Sequence, residues 1–258
     1  ELERVEGADW NLEIGAVSET VAARDPGRAP ALLFDNIPGY PEGFRILSGA
    51  ANALKRLAVV LDLPEPQAET DLVASLRARM SQTFEPIPPV EVKTGPVMEN
   101  VMRDDDVDVL KFPAPFVHEH DGGRYIGTDD AVIMRDPDTG WINAATYRVM
   151  VHDKNTVAIW MSPGKHGRMI SEKYFAKGEP CPVLISCGHD PILFIAAHQE
   201  LDYGLDEFAY AGGQRGRAIE VIPSELHGLP IPARAEIVLE GEILPDETRE
   251  EGPFGEFM

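Results

Sequence analysis

The chain has 258 residues, 43% hydrophobic and 26% charged, the balance of a soluble globular protein with material for one large or two modest cores. Its formal net charge of −21 excludes nucleic acid and an anionic membrane surface as partners, because both are polyanions. No apolar run approaches a membrane span, the opening Glu-Leu-Glu-Arg-Val-Glu has no signal-peptide pattern, and the missing initial Met reads as a piece of something longer.

Residues 1–85 read as mixed α/β. Ala31-Leu-Leu-Phe-Asp35 is a short strand stopped by the Pro/Gly-rich turn Asn36-Ile-Pro-Gly-Tyr-Pro. Ser48 serves as N-cap for a helix from Ala50 to Leu61 with helical periodicity, which Leu63-Pro-Glu-Pro ends. Thr70 or Asp71 opens a second helix over 72–80. Phe84-Glu-Pro-Ile-Pro-Pro-Val is proline-dense and reads as a linker, giving an N-terminal domain over 1–90 and a second over 91–258.

Strand signals dominate the second part. Residues 131–135 run through the turn Asp136-Pro-Asp-Thr-Gly into a strand over 141–152. Asp153-Lys-Asn leads to another over 156–161. Residues 167–177 read as a helix and 183–187 as a buried strand. Cys181 and Cys187 lie in or beside that run, at no zinc or redox spacing, which implies inert thiols and a reducing, cytoplasmic home. Pro191 to His198 reads as a short helix capped by Asp190, and residues 219–222 and 235–244 as strands. The fold class is α+β: an N-terminal α/β domain, then strands broken by short helices as in a partly open barrel.

Several segments could carry chemistry. In Asn143-Ala-Ala-Thr-Tyr-Arg148 side chains alternate across the strand, so Asn143, Ala145 and Tyr147 share one face and Arg148 the other. An Arg inside an apolar strand needs an anion; the plain alternative is a surface Arg. Ser162-Pro-Gly-Lys-His-Gly167 is a loop before a helix, where backbone donors and Lys165 suit a phosphate and His166 suits a metal or plain solvent. Glu207 opens a helical stretch ahead of the small residues 211–213, which allow close backbone approach, and reads as an ordinary first-turn carboxylate. His118-Glu-His120 is a metal pair or, more plainly, a solvated loop. The chain closes on Glu251-Gly-Pro-Phe-Gly-Glu256, a tight turn carrying two carboxylates beside Phe254 and Phe257. That is a solvated acidic tail or an acid–base loop, since apolar surroundings and a like charge raise a carboxyl pKa.

Taken together and in order, Asn143-Ala-Ala-Thr-Tyr-Arg148, Gly164-Lys-His166, Asp206-Glu207-Phe-Ala-Tyr-Ala-Gly-Gly, Ile237-Val-Leu-Glu-Gly241 and Glu251-Gly-Pro-Phe-Gly-Glu256 resemble the UbiD family of prenylated-flavin decarboxylases. The resemblance covers most of 90–258 and, more loosely, the N-terminal part. It implies a split β-barrel that binds prenylated FMN, made by a separate flavin prenyltransferase, with a divalent cation bridging protein and cofactor phosphate. Asn143, His166 and Glu207 would be the metal ligands, a mainly hard set suited to Mn²⁺ or Mg²⁺; a K⁺ nearby is typical of relatives. Thr146, Tyr147, Arg148 and Lys165 would line the flavin or its phosphate, as would His166 and, more weakly, Trp160, Met161 and Ser162. Arg148, Glu251 and Glu256 match the family's catalytic set, with Glu256 delivering the proton that replaces CO₂.

The implied activity is reversible decarboxylation of an aromatic, heteroaromatic or α,β-unsaturated carboxylic acid by a homo-oligomeric full-length enzyme. The rivals are a flavin- and metal-binding split-barrel module without catalysis, and a flavin-independent hydrolase using Glu251 and Glu256. Family members continue into a C-terminal domain, whereas this chain stops two residues after Glu256. The expectation is a loop with nothing beyond it to pack against, and a poorly placed Glu256.

Overall fold

The computed structural model describes residues 2–80 and 84–255. In chain order the N-terminal part has β1 (Leu2–Glu6), α1 (Glu13–Arg24), β2 (Ala31–Asp35), β3 (Ile46–Ser48), α2 (Leu54–Val60) and α3 (Glu69–Met80). β1 and β2 pair in parallel across the α1 crossover, and β3 adds antiparallel to the far side of β2. The central strand is therefore the continuous apolar run, closed by Ile14, Leu32, Phe34 and Ile37. The expected helix from Ala50 starts later. Ser48 ends β3, Gly49 turns at φ 68°, and Ala53 precedes the first helical residue. The Arg56 guanidinium gathers the carbonyls of Ala29, Gly49 and Ala50, which stabilises residues 49–53 as a turn.

The second part continues with β4 (Val90–Glu91), β5 (Arg124–Arg135), β6 (Ile142–Val151), β7 (Val157–Ile159), α4 (His166–Ala176), β8 (Cys181–Cys187), α5 (Pro191–His198), α6 (Glu207–Arg215), β9 (Glu220–Pro223), β10 (Pro230–Pro232) and β11 (Ile237–Ile243). Five strands form an antiparallel sheet in the order β11-β8-β5-β6-β7. β4, β9 and β10 form a small second sheet. Both faces of the large sheet are buried. Ala131, Ile133, Ala144 and Leu184 pack against Leu193, Ala196 and Phe208 of α5 and α6. Val132, Met134, Tyr147, Val149 and Ile185 pack against Ile170 of α4. This gives the α+β class read from the sequence.

The proline-dense stretch before β4 is docked rather than loose. Ile87 N–H donates to the Ala209 carbonyl, and the Phe84 ring meets Tyr210 edge-on at 5.0 Å. Cys181 is fully buried and Cys187 partly so, and burial pushes the Cys181 thiol up to about 12. Among the described residues no helix is long and apolar enough to cross a membrane.

Candidate active site

β6 organises the site. Its partner β7 reaches only Val149, Met150 and Val151, so among the described residues the strand from Ile142 to Arg148 has an edge without a strand partner. At that edge the Ala144 N–H donates to Glu207 Oε2 at 2.9 Å. Glu207 is the first residue of α6, placed by Asp206, whose side chain accepts from the N–H groups of Phe208 and Ala209. The Glu207 side chain is 3% exposed. Burial pushes its carboxyl up to about 7, against the opposing effect of the N–H groups of Ala144 and of Glu207 itself.

Next to Ala144, Asn143 is buried, and neither its amide oxygen nor its amide nitrogen has a hydrogen-bond partner among the described residues. A buried amide that meets nothing costs on the order of 1–3 kcal/mol. Half-buried His166 begins α4, and its ring meets Trp141 and Tyr203 edge-on, each at 5.3 Å. Trp141 in turn donates to the Leu205 carbonyl, two residues before Glu207. Tyr147 accepts from the Gly167 N–H at 3.3 Å and so ties β6 to the start of α4. Among the described residues no group of three or more His, Cys, Asp or Glu could hold a metal ion by itself. The donor set here is an unpartnered amide, an uncompensated carboxylate and an imidazole, which fits a hard cation that draws further oxygens from a phosphate.

Further along the strand, Arg148 makes a bidentate pair with Glu251. Nε donates to Oε1 and Nη2 to Oε2, both at 2.8 Å. Tyr125 of β5 also donates to Oε1, at 3.0 Å. The Phe254 ring lies 4.5 Å from Tyr125 and 5.9 Å from the Arg148 guanidinium carbon. This is the anion that an Arg in an apolar strand requires. The turn over residues 251–255 is held in place by residues upstream in the chain. Gly255 N–H donates to Asp121 Oδ1 at 2.8 Å, and Gly122 N–H to the Pro253 carbonyl at 2.6 Å. Glu256, expected to be poorly placed, lies outside the described residues, as does Phe257.

The remaining expected residues divide. Thr146 Oγ1 is 3.2 Å from His198 Nδ1. Lys165 is exposed and pairs with Glu200 at 2.8 Å. Trp160 is half exposed, Ser162 lies partly open, and Met161 is buried against Tyr147 and Ile170. The solvated reading of the loop His118-Glu-His-Asp-Gly-Gly123 is overturned for two of its residues. His118 is half-buried between Glu19 and Asp121, and Asp121 is buried; His120 is exposed. Tyr125 and Asp121 were not found from the sequence. Their partners stand 126 and 134 residues away, so no local pattern announces them.

Residues 89–258 match the UbiD family, 3-octaprenyl-4-hydroxybenzoate carboxy-lyase Rift-related domain, and residues 1–76 match the N-terminal domain of the same carboxy-lyase. The chain is 42% identical over 256 residues to a pyrrole-2-carboxylic acid decarboxylase of Pseudomonas aeruginosa, covering 96% of this chain and 51% of that protein. It is similar to the vanillic acid decarboxylase of Sedimentibacter hydroxybenzoicus in closed form, with a TM-score of 0.90, 30% identity, and 99% and 54% coverage. It is also similar to an evolved dimeric form of the UbiD-class enzyme HmfF from Pelotomaculum thermopropionicum in complex with prFMN, with a TM-score of 0.84, 30% identity, and 99% and 56% coverage. The chain thus spans about half the length of the curated relatives it matches. It belongs to the UbiD family.

Proposed function

We propose that this chain is the cofactor-binding and acid–base part of a prenylated-FMN-dependent decarboxylase that acts reversibly on an aromatic, heteroaromatic or α,β-unsaturated carboxylic acid. The observation that carries the reading is the arrangement of β6. Among the described residues, one open-edged strand presents an unpartnered Asn143 beside the buried Glu207 and, five residues on, an Arg148 locked to Glu251. Five residues of strand span roughly 16 Å. A cation-held phosphate end and a reacting end can therefore both be served from one edge. The relatives named above are decarboxylases, and one neighbour was solved with prFMN.

In this reading Asn143, His166 and Glu207 hold Mn²⁺ or Mg²⁺, with K⁺ nearby, and Thr146, Tyr147, Arg148, Trp160, Met161, Ser162, Lys165 and His166 line the cofactor. Prenylated FMN, when bound, supplies the electron sink for the charge left on carbon as CO₂ departs. The chain's own residues do the rest. Arg148 orients the carboxylate that will leave. Glu251 fixes the guanidinium plane by its two parallel hydrogen bonds, so the fork cannot swing away. Tyr125 also donates to the Glu251 carboxylate and helps hold it against Arg148. Glu256 gives its proton to the carbon that has lost CO₂ and regains one from solvent.

Residues 1–90 and 91–258 would be the α/β domain and the split β-barrel. The full protein would act in the cytoplasm as a homo-oligomer loaded by a separate flavin prenyltransferase. The test is the protein from the whole gene, co-expressed with such a prenyltransferase and given a panel of aromatic and heteroaromatic acids. CO₂ release and solvent-deuterium exchange into product that require the flavin, and that Glu256→Gln abolishes, are expected. Turnover that survives removal of the flavin, or exchange that survives Glu256→Gln, overturns the reading.

A further inference from the structure

Residues 116–122 lead into β5 and pack on the way against the turn before α1 and against α1 itself. Leu12 N–H donates to the Phe116 carbonyl and Phe116 N–H to the Trp10 carbonyl, at 2.8 and 3.0 Å. A Cβ at Gly15 of α1 would lie 2.2 Å from the Val117 carbonyl oxygen, so only glycine lets helix and segment approach this closely. On the other side the segment cradles the turn over 251–255. A Cβ at Gly122 would lie 2.1 Å from the Gly252 carbonyl oxygen, and one at Gly255 would lie 2.7 Å from His118 Nδ1.

Three titratable side chains form a row through this contact. Glu19 of α1 accepts from His118 Nε2 at 2.6 Å. His118 Nδ1 lies 3.3 Å from Asp121 Oδ1, and the His118 backbone N–H donates to Asp121 Oδ2 at 2.9 Å. Asp121 Oδ1 also accepts the Gly255 N–H. The Asp121 side chain is 1% exposed, so a carboxylate there needs these donors. Around His118 stand Glu19 from α1, Asp121 from its own turn, and the Phe254 ring and Gly255 backbone from the acid loop. A carboxylate at each ring nitrogen favours the doubly protonated ring. Burial opposes that charge, but the two carboxylates outweigh it and raise the His118 pKa.

We infer that Asp121 and His118 are positioning residues for the turn over 251–255, through which the N-terminal domain, by way of Glu19, fixes the backbone of Gly255. The proposed function makes Glu256, next in sequence, the proton donor, and the kinetic arm of the test rests on that reading. The anchoring of the loop itself does not.

The experiment therefore has two readouts. The first is amide hydrogen exchange of the peptide covering 249–258 in flavin-free full-length protein. The second is turnover and solvent-deuterium incorporation in the flavin-loaded enzyme. Asp121→Ala should speed exchange at Gly255 about tenfold, the loss of one charge-assisted hydrogen bond. Asp121→Asn, which keeps one acceptor, should restore part of it. Glu19→Gln and His118→Phe should lower kcat several-fold with KM, flavin content and metal content unchanged.

Should Asp121→Ala not fold, Glu19→Gln, on the partly exposed side of α1, carries the test. Unchanged loop protection and unchanged kcat in folded Glu19→Gln and His118→Phe overturn the inference. Faster exchange together with a wild-type enzyme inert toward every acid leaves the anchoring in place and overturns the decarboxylase reading instead.

Discussion

Glu207 gives a prediction whose size follows from the structure. In an unfolded chain its carboxyl titrates near the ordinary 4.5, and in the folded protein near 7, because burial at 3% exposure outweighs the two backbone donors. Between those values the native state holds a proton that the unfolded state has released. Stability from this group is therefore complete below about 4.5 and is lost as pH rises through 7. At about 1.36 kcal/mol per pKa unit the whole effect is about 3 kcal/mol, of which about 2.5 falls between pH 5 and 8. Glu207→Gln keeps an acceptor for the Ala144 N–H and has no charge to bury. Urea unfolding of protein freed of metal and flavin, at pH 5, 6, 7 and 8, should show wild type losing about 2.5 kcal/mol more than the Gln variant across that range. Added Mn²⁺ should remove most of the difference at pH 8, and its apparent affinity should rise about tenfold per pH unit below 7. Parallel pH profiles for the two proteins would refute the claim that Glu207 is a buried carboxylate without a counter-charge.

Three further outcomes follow from the same geometry. Arg148→Lys keeps the charge but cannot make two parallel bonds to Glu251, so turnover of the loaded enzyme should fall at least about tenfold while circular dichroism and flavin content hold. Gly122→Ala drives a methyl into the Gly252 carbonyl; limited proteolysis should cut at residues 249–255 faster, with the main thermal transition little changed. Phe34→Ala empties a fully buried position in the N-terminal sheet and should cost about 3–5 kcal/mol in chemical denaturation.

What the sequence made legible was local chemistry. Ala31-Leu-Leu-Phe-Asp35 carries its own burial, and the strand stands where its apolar run does. The Asp190 cap and the helix from Pro191 to His198 agree residue for residue, with Asp190 Oδ1 accepting the Ile192 N–H at 3.0 Å. Arg148 declared a need for an anion, and the alternation of β6 put it opposite Asn143. What the sequence hid was anything whose cause lies far along the chain. β5 begins at Arg124, seven residues before the expected Ala131, because its register shifts between Tyr125 and Gly127 and again between Gly127 and Asp130. Those irregularities leave Ile126, Thr128 and Asp129 without a register partner on β6, which no strand pattern predicts. Likewise Ser48 looked like a helix cap until β2 claimed it for a sheet. His118 looked solvated because neither Glu19 nor Gly255 is near it in sequence.

The two buried carboxylates of the site differ in a way that orders its assembly. Glu251 is matched within the chain by two bonds from Arg148 and one from Tyr125, and its loop is seated on Asp121 and Gly122. It needs nothing from solution to be in place. Among the described residues Glu207 meets only backbone N–H groups and stands beside an amide without a hydrogen-bond partner. Leaving such groups unsatisfied is unfavourable until a cation arrives. In the proposed reading the reacting end of β6 is thus preorganised by the protein, whereas the phosphate end would be completed by what binds there. On that reading the Arg148–Glu251 pair is set before any cofactor binds, whereas Asn143 and Glu207 would gain their partners from what binds.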